Sequence, residues 1–149
     1  MCYECGCEAE AVIQSLMDDH VAIAARIRRI RDAMAAPRPR AVSPLTADLA
    51  DTLAHHGATE EAGLFVELRR CGQASELVAR LSHECIRLVT GLSDPAVVAQ
   101  SDRFQALLAD VVGYARVEDD ELYPLALQYL PNEYWGPIEN VHQLMLTAS

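Results

Sequence analysis

Two related segments of this chain place carboxylates, a histidine and a tyrosine on helical seams that would otherwise be aliphatic. The first reads His56-x-x-x-Glu60-Glu61-x-x-Leu64-Phe65 and the second Tyr114-x-x-x-Glu118-Asp119-x-x-Leu122-Tyr123. Residues four apart share one face of a helix. In each segment the polar pair therefore falls on the face that also carries leucine. A carboxylate buried without a partner is very costly. Two at matched depth need a shared partner, and a metal ion satisfies both. The pattern constrains the chain to helices packed around a polar, cation-holding interior.

The rest of the sequence supplies the helices. Four long stretches carry helical periodicity and none shows sustained period-two alternation. The first, about 8–35, has the seam Ile13, Leu16, His20, Ile23, Ile27, Ile30 and Met34, and Pro37, Pro39 and Pro44 break it. The second, about 44–70, runs through Leu49, Leu53, His56, Glu60, Leu64 and Leu68, with Ser43 as the expected N-cap before Pro44. The third, about 75–92, is expected to use Ala79, His83, Ile86 and Thr90. The fourth opens near Ser101 with Phe104, Leu107, Val111, Tyr114, Glu118 and Leu122, and Pro124 is expected to close it. Short connections predict an all-α, antiparallel up-down four-helix bundle over about 8–124. Residues 125–149 are expected to form a tail with a short helix over 138–146, within one 149-residue domain.

Composition narrows the partners. A net charge of −10 argues against nucleic acid or an anionic membrane. No apolar run is long enough to span a bilayer, and no secretory signal pattern opens the sequence, so a cytoplasmic protein is expected. With two Phe and one Trp, the core must be aliphatic.

Each of the four seams is interrupted by a residue that can bind a metal: His20, then His56 and Glu60, then His83, then Tyr114 and Glu118. Singly these are weak signals. A lone His-x-x-x-Glu is usually a surface pair, and a lone core histidine or tyrosine usually has its hydrogen bond satisfied. Together they are too many ligands for one tetrahedral site, and they fit two ions bridged by two carboxylates. Imidazole, carboxylate and phenolate without thiolate favour iron, with manganese behind it.

At these residues the sequence resembles the hemerythrin-like family of histidine–histidine–glutamate cation-binding domains. The resemblance covers about 8–124 and rests on His20, the segment from His56 to Phe65, His83, and the segment from Tyr114 to Pro124. It implies an antiparallel bundle around a non-haem di-iron centre, two iron ions with an oxo or hydroxo bridge, that meets hydrogen peroxide, O2 or NO. His20, His56, His83 and Tyr114 would be terminal ligands, with Glu60 and Glu118 bridging; some relatives bridge from the next position, here Asp119. Two departures stand out. Tyr114 replaces the family's histidine, and the second histidine that oxygen carriers place in the third helix is missing, the flanking positions being Ala79 and Arg87. His55 lies one residue out of register to substitute for it. A phenolate favours ferric over ferrous iron, which points from oxygen carriage toward catalase-like decomposition of peroxide, with Tyr114 as the catalytic residue. The alternative is an O2- or NO-binding, or iron- or redox-sensing, protein without turnover.

Elsewhere, Cys2, Cys5 and Cys7 form Cys-x-x-Cys-x-Cys. A reduced tail is expected over a zinc site, which lacks its fourth thiolate. Asp18, Asp19, Asp120 and Glu121 read as solvated faces or a polar mouth, and His142 as a surface residue of the tail.

Overall fold

The computed structural model describes residues 6–37 and 41–148; every regular element among them is helical. Helix α1 (Cys7–Ala35) buries Ile13, Leu16, His20, Ile23, Ile27 and Ile30 of the expected seam, adds Val12, and leaves Met34 half-buried. Gly6 precedes it at φ 68°, a left-handed conformation natural to glycine, and Glu8 and Glu10 sit favourably in the first turn. Cys7 is disulfide-bonded, which corrects the expectation of reduced thiols there. Cys2 and Cys5 lie outside the described residues. Cys71 and Cys85 are free.

The second stretch is two helices, α2 (Val42–Ala62) and α3 (Leu64–Arg70). Ser43 lies inside the first turn of α2 and makes no cap. The break is at Gly63, whose N–H is shared by the carbonyls of Thr59 and Glu60 at 3.1 and 3.3 Å. A side chain there would stand 3.4 Å from Ile138 Cγ2, so the glycine is where the last helix comes to rest on α2.

Helix α4 (Ser75–Leu92) turns a different face inward from the one expected. Val78, Leu81, Leu88 and Leu92 are buried, with Cys85 half-buried between them, while Ala79, His83, Ile86 and Thr90 are exposed. Both sets have helical spacing. Full burial of a large aliphatic side chain is favourable by about 1.5–3 kcal/mol, so the set richer in leucine and valine faces the core.

A short helix α5 (Pro95–Val98), capped by Asp94 accepting from the Ala96 N–H at 2.9 Å, leads into α6 (Ser101–Val117). Pro124 does not end this helix. The chain widens into a π-turn (Glu118–Leu122) and continues as α7 (Tyr123–Tyr129). Proline has no N–H and its ring crowds the carbonyl four residues back; a wider turn just before it accommodates both. The bundle closes because α1 packs on α2, α2 on α4, α4 on α6 and α6 on α1. The expected C-terminal helical tail is α8 (Trp135–Thr147), which starts earlier than predicted and packs on α1 and α2 with Trp135 and Ile138 buried. No helix among the described residues is long and apolar enough to cross a membrane.

Candidate metal centre

Three elements deliver side chains to one buried point. His20 comes from α1, His56 and Glu60 from α2, and Glu118 from the π-turn, with exposures of 6%, 1%, 0% and 0%. The Nε2 atoms of the two histidines stand 3.2 Å apart. Both face Glu118 Oε2, at 2.9 Å from His20 and 3.1 Å from His56. Glu60 Oε2 is 3.6 Å from His56 Nε2. The far ring nitrogens are tied down by acids of the outer rim: His20 Nδ1 to Asp119 Oδ1 at 2.8 Å, and His56 Nδ1 to Asp19 Oδ2 at 3.0 Å. A carboxylate on one imidazole nitrogen selects the tautomer that turns the other nitrogen's lone pair inward, as at metal-binding histidines.

That arrangement aims three electron-pair donors at one another, with His20, His56 and Glu118 forming a group able to hold an ion. A shared proton satisfies only part of it, and Glu118 Oε1 is buried with no hydrogen-bond partner. Donors bonded at about 2.0–2.2 Å to one ion stand roughly 3 Å apart, the separation seen between these nitrogens and oxygens. The donor set therefore fits a cation.

Electrostatics split the two carboxylates. Burial and the neighbouring Glu118 charge raise Glu60 well above the usual range. Burial also opposes ionisation of Glu118, but hydrogen bonds from His20 and His56 outweigh it and hold its pKa low. Burial pulls His56 down, yet the Glu60 charge and the bonds to Asp19 and Glu118 carry it well above the ordinary histidine value. Two phenols complete the interior. Tyr123 Oη donates to Glu60 Oε1 at 2.9 Å, and stands 3.4 Å from Glu118 Oε2 and 3.5 Å from His20 Nε2. Tyr114 Oη donates to Glu60 Oε2 at 3.3 Å and also lies beside Glu118 and the Cys85 thiol. Burial and the Glu60 charge hold both phenols protonated; a bound cation reverses that preference.

Of the six residues predicted as ligands, His20, His56, Glu60 and Glu118 come together. Tyr114 is buried beside them but one step out. His83 is exposed on α4 and does not belong to the cluster, which corrects its assignment as a ligand. The side chain α4 turns inward nearest the centre is Cys85, its thiol beside Tyr114 and pushed up to about 11 by burial. His55 is half-buried and outside the group. His142 is buried, not a surface residue, and its Nε2 has no partner.

Tyr123 was missed because a straight helix turns it away from Glu118. The π-turn, closed by the Tyr123 N–H on the Glu118 carbonyl, brings residues five apart onto one face. Pro124 inside a helical pattern was the available signal. Asp19, expected on a solvated face or polar mouth, and Asp119, the alternative bridge, each bond an imidazole of another element instead, a pairing that no single helix's sequence shows.

A family model described as the hemerythrin HHE cation binding domain matches residues 11–126. Comparison with curated proteins and with solved structures returns no match.

Proposed function

The chain belongs to the hemerythrin family of HHE cation-binding domains, and from that premise we propose that its buried cluster holds two non-haem iron ions and decomposes hydrogen peroxide. The observation that carries the reading is the convergence of His20, His56 and Glu118 beside the Tyr123 phenol. His20, His56, Glu60 and Glu118 would hold the metal, with Tyr123 the phenol nearest to it. Bound iron supplies a Lewis acid and a redox reservoir, and a phenol that yields its proton to it favours the ferric state.

The chain's own residues supply the rest. Asp119 and Asp19 fix the two imidazoles so that neither has to reorganise. Glu60 accepts from both phenols, from Tyr114 at Oε2 and from Tyr123 at Oε1. It is thus placed to exchange a proton with Tyr123 at Oε1 as peroxide enters and water leaves. Overall, two peroxides give one dioxygen and two waters, one peroxide being oxidised and the other reduced.

Metal analysis of iron-loaded protein should give about two irons per chain, with a broad visible phenolate band. Oxygen should evolve from added peroxide. Absence of oxygen evolution, with Tyr123→Phe and Tyr114→Phe both spectrally identical to wild type, sinks the mechanism. A reversible deoxy/oxy spectral cycle without turnover would instead indicate a gas-binding protein.

A further inference from the structure

We propose that the cavity between α2 and α4 binds a small uncharged organic molecule with one hydrogen-bonding end, of the alkyl or aryl hydroperoxide and alcohol class. The proposal deepens the peroxide reading; it rests on that reading for what the ligand is for, and not for whether it binds.

The cavity has a volume of about 350 Å³. That is the lower end of the range of pockets built for organic molecules, and far more than hydrogen peroxide fills. Its walls are Ala54, Ala58, Phe65 and Val89, and Ile86 stands 67% exposed at the lip. The floor is Tyr114 with Cys85. Gly57 makes that floor possible: a Cβ there would lie 2.4 Å from Cys85 Sγ.

Charge decides the ligand class. Glu61 is the one ionised side chain in the lining, and Arg69 pairs with it at 3.0 Å while Ser82 donates to it. Among the lining residues no unpaired cation remains to hold an anion, and no unpaired anion to hold a cation. The polar groups at the floor are the Tyr114 hydroxyl and the Cys85 thiol beside it. The hydroxyl donates to Glu60, and its oxygen has two acceptor lone pairs, so beside the thiol one is left for a ligand that donates an O–H. A hydroperoxide or an alcohol has that donor and an apolar body.

The test uses 2-phenyl-2-propanol, an alcohol that cannot be turned over as a peroxide, on the full chain in its iron-loaded form. Titration calorimetry should show saturable binding. Ala58→Phe, a substitution at an exposed position between buried neighbours that fills the cavity, should weaken it by about tenfold or more. In the same protein the alcohol, at about ten times its dissociation constant, should slow modification of Cys85 by methyl methanethiosulfonate about tenfold. Cys71, outside the cavity, should react at an unchanged rate. No saturable heat, equal binding by folded Ala58→Phe, or equal protection of both cysteines overturns the proposal. Binding without peroxide turnover leaves it standing and removes only the peroxide reading. Turnover without binding does the reverse.

Discussion

Two hollows flank the centre, and they differ in polarity. The groove between α1 and α6 reaches His20 and mixes the charged Asp18, Asp119, Asp120 and Arg116 with the apolar Ile23, Ile27 and Val112. The cavity between α2 and α4 reaches Tyr114 through alanine, valine and phenylalanine. His20 is held by Asp119 on the first side, and His56 by Asp19, so the donors are fixed before any ion arrives. On the second side α4 contributes no imidazole, and its nearest group is a protonated thiol. The difference teaches that this bundle is asymmetric: α1, α2 and the π-turn make a polar ligand wall, and α4 makes an apolar one. A symmetric reading, with one ligand set per helix, does not survive.

The strongest way to break that division is to remove the imidazoles of the ligand wall and, separately, the exposed one of α4. His56→Ala or His20→Ala should abolish stoichiometric iron loading. A metal present at about a thousandfold over its dissociation constant stabilises the native state by about 4 kcal/mol, a shift on the order of 10 °C in a domain of this size. Both variants should lose that shift, and His83→Ala should keep it, along with its iron. Loss of iron from folded His83→Ala would return α4 to the ligand set.

The inward face of α4 can be tested on its own. Leu88, fully buried, should cost about 2–5 kcal/mol when cut to alanine. Ile86→Ala, at an exposed position, should stay within about 0.5 kcal/mol. Urea unfolding of both measures the difference, and equal losses would mean that the register of α4 is wrong. Smaller again is the effect of the rim. Asp119→Asn and Asp19→Asn leave every donor in place but loosen one imidazole each, so metal affinity should fall about 10–100-fold. Competition against a chelator reads that loss. Unchanged affinity would show that the Nδ1 bonds merely decorate the ring.

How much of this was legible depended on whether one helix or two decided the outcome. His20, His56, Glu60 and Glu118 sit on seams whose other members are aliphatic, so a single helix's pattern places them inside, and the bundle brings them together. His83 sits on a seam of alanine, isoleucine and threonine. Reading that helix from its histidine put weight on one residue, where the leucines of the competing face carried more burial. Tyr123 depended on a change of helical pitch, and Asp19 and Asp119 on a partner across the bundle. Periodicity along one segment carries neither kind of information. Cys85 was hidden for the same reason, since its place at the floor depends on a glycine in a different helix.

That glycine gives the smallest and sharpest test of the apolar side. Gly57 lies in the interior of α2 without a positive φ. Its replacement by alanine should by propensity alone stabilise the helix by up to about 1 kcal/mol. In the wild-type background the new methyl meets Cys85 Sγ, which must rotate away from its place beside Tyr114. The gain should therefore be cancelled or reversed. In a Cys85→Ala background the obstacle is absent and the gain should appear. The two substitutions then couple with an energy of about 0.5 kcal/mol or more, within the range for residues in contact. Additive effects would mean that α2 and α4 do not meet through this pair, and that the floor of the cavity is open where Cys85 now closes it.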